Sequence, residues 1–191
     1  MNSAVRTKKL KILNFDIENR PIAYGGGDFT FPEITAIAAS WVGSREIKVW
    51  ALGEVTAKEM LSGFKEMYDQ ADVVTGHYIR GHDLGIVTGQ LVMHGLDPLS
   101  SKLVSDTCTD FIRTSGISKS QENMGSMFGI KQHKQHMNVI DWSEANKLTE
   151  EGILKTKKRV RQDVKQNKEL REVLISKGYL RPLRLWTPEK K

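Results

Sequence analysis

A single cysteine, Cys108, in 191 residues removes two kinds of chemistry at once. The chain cannot close an internal disulfide, and it cannot build a cysteine-based zinc cluster. A reducing, intracellular and cytoplasmic setting is the expectation that follows. No apolar run approaches the roughly 20 residues that span a bilayer, and the N-terminal residues lack the apolar core of a signal peptide, so no membrane partner is expected. Gly25-Gly26-Gly27 is followed by neither Gly-Lys-Ser/Thr nor a helix start. It therefore reads as a turn rather than a phosphate loop.

What is present describes an ordinary globular chain, with 39% hydrophobic and 27% charged residues. The length suits one core, so residues 1–191 are expected to form a single domain, with a mobile terminus at 1–7 and a tail at 179–191. The net charge of +6 is unevenly spread: residues 1–146 carry 15 Lys/Arg against 17 Asp/Glu, and residues 147–191 carry 14 against 6. Such asymmetry points to a polyanionic partner met through the C-terminal segment, although a well-solvated helix face accounts for the same excess.

In Ile12-Leu13-Asn14-Phe15-Asp16-Ile17-Glu18 the branched and aromatic residues mark a strand, predicted over 8–18 and ended by Pro21. Residues two apart share a strand face, so Asp16 and Glu18 project together, roughly 6–7 Å apart at the backbone. Two carboxylates at the end of a buried strand repel each other and lose hydration, and a divalent cation is their usual compensation, while a strand that simply emerges into solvent at Asp16 accounts for the same spacing. Glu33 to Val42 and Glu46 to Leu52 read as two further strands in a hairpin. Thr56 and Glu59 form a capping box ahead of Met60, Leu61, Phe64 and Met67 at helical spacing.

Ala71 to Gly76 predicts a buried strand running into His77-Tyr78-Ile79-Arg80-Gly81-His82-Asp83. A helix is expected from Asp83 to about His94, with Leu84, Val87, Leu91 and Val92 on its apolar side. Lys102 to Ser105 reads as another strand, and 107–114 and 120–128 as short helical pieces. His133 and His136 read as loop residues rather than zinc ligands. A long helix is expected from Thr149 to Lys177, closed by Gly178. Asp163 falls in the middle of the apolar arc drawn by Val160, Val164, Leu170 and Leu174.

Three antiparallel strands, helix, strand, helix, strand and a long helix is the order of the ribonuclease H-like α/β fold: a mixed central sheet, three antiparallel strands then parallel ones, flanked by helices. Within that order the chain resembles the DnaQ-like 3′–5′ exonucleases, including the proofreading domains of DNA polymerases. Phe15-Asp16-Ile17-Glu18 is similar to their first motif, His77-Tyr78-Ile79-Arg80-Gly81-His82-Asp83-Leu84 to their second, and Gln162-Asp163-Val164 to their third. Asp106-Thr107 resembles the Asp-Thr between the second and third. The likeness spans roughly residues 9–175. It departs from the pattern at Tyr78, where the family has Asn, and at His82, where it has an aromatic. It departs again at Arg159 and Lys158, where the family places a Tyr or a His before the third-motif Asp.

The resemblance implies phosphodiester hydrolysis with Asp16, Glu18, Asp83 and Asp163 as the acidic set holding two Mg²⁺ or Mn²⁺ ions. Arg20, His77, Tyr78, Arg80, Lys158 and Arg159 are the implied substrate contacts. Arg159 and Lys158 do not suit a general base at neutral pH, so the family's base is lost, is supplied by His133, His136, His82 or Tyr78, or is not needed at full strength. The partner implied is nucleic acid, DNA before RNA, with a separate polymerase or replication protein as a further partner. Two other readings share the fold: a catalytically impaired nucleic-acid-binding accessory protein, and a ribonuclease H-like endonuclease.

Overall fold

The computed structural model describes residues 9–24, 29–131 and 137–189. Three strands open the chain: β1 (Ile12–Tyr24), β2 (Phe29–Trp41) and β3 (Lys48–Ala51). Then come α1 (Ala57–Gln70), β4 (Val73–Gly76), α2 (Asp83–Met93), β5 (Lys102–Asp106), α3 (Gln121–Met127), α4 (Val139–Asn146), α5 (Glu150–Ser176) and β6 (Arg184–Trp186). The six strands form one sheet in the order β3-β2-β1-β4-β5-β6. The pairs β3·β2, β2·β1 and β5·β6 are antiparallel, and β1·β4 and β4·β5 are parallel. This is a mixed α/β architecture flanked by helices, compatible with the ribonuclease H-like fold.

Alternation along β1 divides the molecule. Leu13, Phe15 and Ile17 enter a core shared with Met60, Leu61, Phe64 and Tyr68 of α1 and Leu84, Val87 and Leu91 of α2. Asn14, Asp16 and Glu18 take the opposite face, where α5 lies. There β2 presents Ala36 and Ala38 directly beside Glu18 and Asp16, and these small side chains pack on Val160 and Val164 of α5. The long helix therefore comes close to the strand carrying the acids. A buried chain of amides ties it down: Asn14 Nδ2 donates to Val164 O (2.8 Å) and Asn167 Nδ2 to Asn14 Oδ1 (2.6 Å). Thr107 Oγ1 donates to Asn167 Oδ1 (2.6 Å).

Several expectations need correction. Pro21 does not end the first strand: β1 runs to Tyr24, and Pro21 stands opposite Pro32 of β2. β4 covers β1 only over Ile12–Asn14, so Pro21 lies on an edge where no ladder donor is required. Residues 107–114 are not helical: 107–110 make a turn capped by Asp106 Oδ1, which accepts from the N–H of Cys108 (2.9 Å) and Thr109 (3.0 Å). The chain then pairs with the segment after α5, Ile112 N–H donating to Tyr179 O (3.0 Å) and Arg181 N–H to Asp110 O (2.8 Å). Val92 is exposed, and Gln90 is buried instead, donating to Pro32 O at 2.8 Å. Helix α4 was not anticipated, although Asn138 and Asp141 form its capping box. Within the tail Arg184–Trp186 form the sixth strand, held by a fully buried Asp110 that pairs with Arg184 and with Arg80.

Candidate active site

The site opens where β1 outruns β4. Past Asn14, that edge of β1 pairs with no strand among the described residues, and the N–H of Ile17 donates instead to Asp83 Oδ1 at 3.2 Å. Asp83 arrives there as the first residue of α2, after a loop leaving the carboxyl end of β4. Crevices at the carboxyl ends of parallel strands are the usual ligand position in α/β sheets. From the other side α5 brings Asp163 and Arg159. A cavity of about 170 Å³ results, lined by Asp16, Glu18, Asp83 and Asp163 together with His77, Tyr78, His82, Gln121 and Arg159. A larger depression of about 260 Å³ lies elsewhere, beside Trp41, Glu46, Lys48 and Met67. It lacks a converging acidic set among the described residues, so the smaller one is the candidate site.

Asp16, Glu18 and Asp163 each place a carboxylate oxygen within 4.8 Å of the others. Glu18 and Asp163 are buried and Asp16 is partly exposed. Two oxygens on opposite sides of one Mg²⁺ stand about 4.2 Å apart, and those around Ca²⁺ slightly more. This spacing and the all-oxygen donor set therefore fit a hard divalent cation. Asp83 lines the same cavity without joining that close group. Its Oδ1 accepts from Ile17 and its Oδ2 faces His82 Nδ1 at 3.2 Å.

Burial raises the pKa of the Asp83 carboxyl, against the lowering effect of His82. The hydrogen bond to Asp83 raises that of His82, against partial desolvation.

Arg159 is committed within the protein. Its Nε donates to Glu18 Oε1 at 2.8 Å, with the two side chains 12% and 11% exposed, and its guanidinium lies 4.8 Å from the ring centroid of Trp142. Of the other implied substrate contacts, His77 sits in the wall, its Nδ1 2.9 Å from Thr107 Oγ1 and its Nε2 2.9 Å from Lys119 O. Tyr78 is half exposed at the mouth. Arg80, Arg20 and Lys158 do not line the cavity. Arg80 is drawn away by Asp110 and the carbonyl of Val104, and Arg20 by Glu33 and the carbonyl of Asn146. Lys158 is exposed on the outer side of α5. His133 and His136 lie outside the described residues.

Sequence reasoning missed Gln121, whose Nε2 holds the carbonyl of Asp163 at 2.8 Å, and it missed Asn14 and Trp142. Asn14 shares the strand face of Asp16 and Glu18, so its spacing carried the signal. Trp142 sits on the unforeseen helix and carried none.

Fold and site together define a mixed α/β protein with a largely buried acidic cluster at the open edge of its first strand. No protein-family model matches the chain, and no curated protein matches it in sequence. Among solved structures, it is similar to the family B DNA polymerase from the hyperthermophilic archaeon Pyrobaculum calidifontis, with a TM-score of 0.62 at 16% identity over 87% of this chain. The chain spans 25% of that polymerase's length. At this identity the likeness is one of fold. No helix among the described residues is long and apolar enough to cross a membrane.

Proposed function

We propose that the chain is a metal-dependent 3′–5′ exonuclease of the DnaQ-like class, acting on single-stranded DNA. The observation that carries the reading is the convergence of Asp16, Glu18 and Asp163 to within 4.8 Å, from strand and helix, on a cavity that Asp83 also lines. The three motifs that resemble the family supply these four residues, and the fold is shared with a quarter of a DNA polymerase.

Asp16, Glu18 and Asp163 would hold Mg²⁺ or Mn²⁺, and Asp83 would complete the set for a second ion. Bound there, such ions would supply an activated water and positive charge for the scissile phosphate and the leaving 3′-oxygen. The protein's own part is positioning. Ile17 N–H fixes the Asp83 carboxylate, Gln121 fixes the backbone of Asp163, and Arg159 orients Glu18 while adding positive charge beside the phosphate path. His82 lines the cavity, and in this reading it accepts the proton from water. Its bond to Asp83 holds the ring in place and makes it more basic.

The test is trimming of 5′-labelled single-stranded DNA with Mg²⁺ or Mn²⁺. A ladder of products shortened from the 3′ end is expected from the native chain and none from Asp16→Ala. No shortening, or equal shortening by both, overturns the reading.

One observation favours a second reading. Arg159 already neutralises Glu18 without a metal, which suits a nucleic-acid-binding accessory protein that does not cut. That protein binds the same DNA with steep salt dependence and leaves it intact.

A further inference from the structure

Tyr78 is held in a way that neither the core nor the acidic cluster requires. Its φ is +64°, one of two positive values at non-glycine positions among the described residues, in a region that aromatic side chains rarely occupy. The turn around it is anchored on every side. The fully buried Asp106 accepts from Tyr78 N–H (2.9 Å) and from Arg80 N–H (3.0 Å). Gly81 N–H donates to Tyr78 O (3.1 Å), and the next side chain, Ile79, is wholly buried. His77, on the other side, is braced between Thr107 and Lys119.

Yet the ring so carefully placed packs into none of the three hydrophobic clusters. It lies across Gly81, where a Cβ would stand 2.7 Å from its Cε2, and it remains 49% exposed on the wall of the acidic cavity. Asn or Gly would take the same backbone with less strain. Strain kept at a rigid turn to present an exposed aromatic ring beside a reaction centre marks a function of the ring.

A flat ring next to carboxylates that bind a phosphate through metal suits a ligand that couples a phosphate to a flat base. Stacking on such a platform is tolerant of sequence, because every base has a π face. Resting on the nuclease reading above, we infer that Tyr78 is the stacking platform for the base of the 3′-terminal nucleotide, and that Asp106 is the positioning residue that holds it there.

The test uses single-stranded oligonucleotides ending in 2-aminopurine or in an abasic residue, bound in Ca²⁺ so that no turnover is needed. Tyr78→Phe keeps the ring, and Tyr78→Asn keeps the left-handed backbone without it. Native protein and Tyr78→Phe are expected to bind the 2-aminopurine oligonucleotide equally and quench it. Tyr78→Asn is expected to bind about 5- to 150-fold more weakly without quenching, and all three to bind the abasic oligonucleotide alike. Thermal unfolding checks that Tyr78→Asn folds, with a Tm at or above the native one.

Undiminished binding by Tyr78→Asn overturns the platform. So does an equal loss on both oligonucleotides, which reports a backbone effect rather than stacking. A native chain that trims DNA but binds both oligonucleotides alike loses the platform and keeps the nuclease. One that stacks the base but never cleaves in Mg²⁺ or Mn²⁺ keeps the platform and loses the nuclease.

Discussion

Arg159→Ala separates the two ways the acidic cluster can be neutralised, by the protein's own cation or by a bound one. In the native chain the Arg159–Glu18 pair is nearly nine-tenths buried on both sides, at 2.8 Å. Alanine leaves Glu18 in place beside Asp16 and Asp163, with three carboxylate oxygens inside 4.8 Å and the charge from α5 gone. Breaking a buried pair by deleting one partner costs about 3–5 kcal/mol. The lower end applies, since both side chains keep some water, and it absorbs the modest loss of the Trp142 contact. About 3 kcal/mol in a chain of this size lowers Tm by about 6–12 °C.

That fall is expected in EDTA. A divalent cation at about 100 times its dissociation constant returns about 2.7 kcal/mol, and it binds the variant more tightly because the competing guanidinium is absent. Thermal unfolding of both proteins, in EDTA and across a Mn²⁺ titration, is the assay. The gap in Tm should narrow as Mn²⁺ rises. A variant as stable as the native chain in EDTA refutes the reasoning, and so does a Mn²⁺-induced rise of equal size in both proteins.

Asp83→Asn is expected to stabilise the metal-free protein at about pH 8, above the ordinary histidine range. Burial raises the native carboxyl above its usual 3.8, so its contribution is fully present below that value and is lost as pH rises through the folded pKa. The advantage of Asn should therefore vanish in acid. The same variant should return His82 toward 6.5, since its elevation comes chiefly from Asp83, as read by NMR titration of the ring; an unmoved His82 refutes the pairing. Gly76→Ala should destabilise the fold by about 1–3 kcal/mol in urea unfolding. The new methyl would stand 2.7 Å from the carbonyl oxygen of Phe15 and would overlap Ile79. Unchanged stability would show that β4 shifts freely beside Asp16.

Local chemistry made much of the scaffold legible. The capping box at Thr56 and Glu59 is formed as read, and Gly178 closes the long helix with φ +68°. Errors came where distant groups decide. Pro21 stops a central strand, but only the short reach of β4 makes that stretch of β1 an edge. The residues after Asp106 start a capped turn, but the N–H of Ile112 then goes to the carbonyl of Tyr179, on the segment that folds back after α5.

Period two along β1 and period 3.6 along α5 determined by themselves that Asp16, Glu18 and Asp163 share buried faces, because those directions follow from backbone geometry alone. Whether such faces meet depends on packing across 145 residues, from Glu18 to Asp163. The alanines of β2 and the amide chain from Asn14 to Asn167 bring α5 close enough. The same packing gave Arg159 its place: its side chain turns inward, and Glu18 and Trp142 hold it there. A linear motif cannot carry that, because the partners that pair and desolvate the guanidinium lie on β1 and α4.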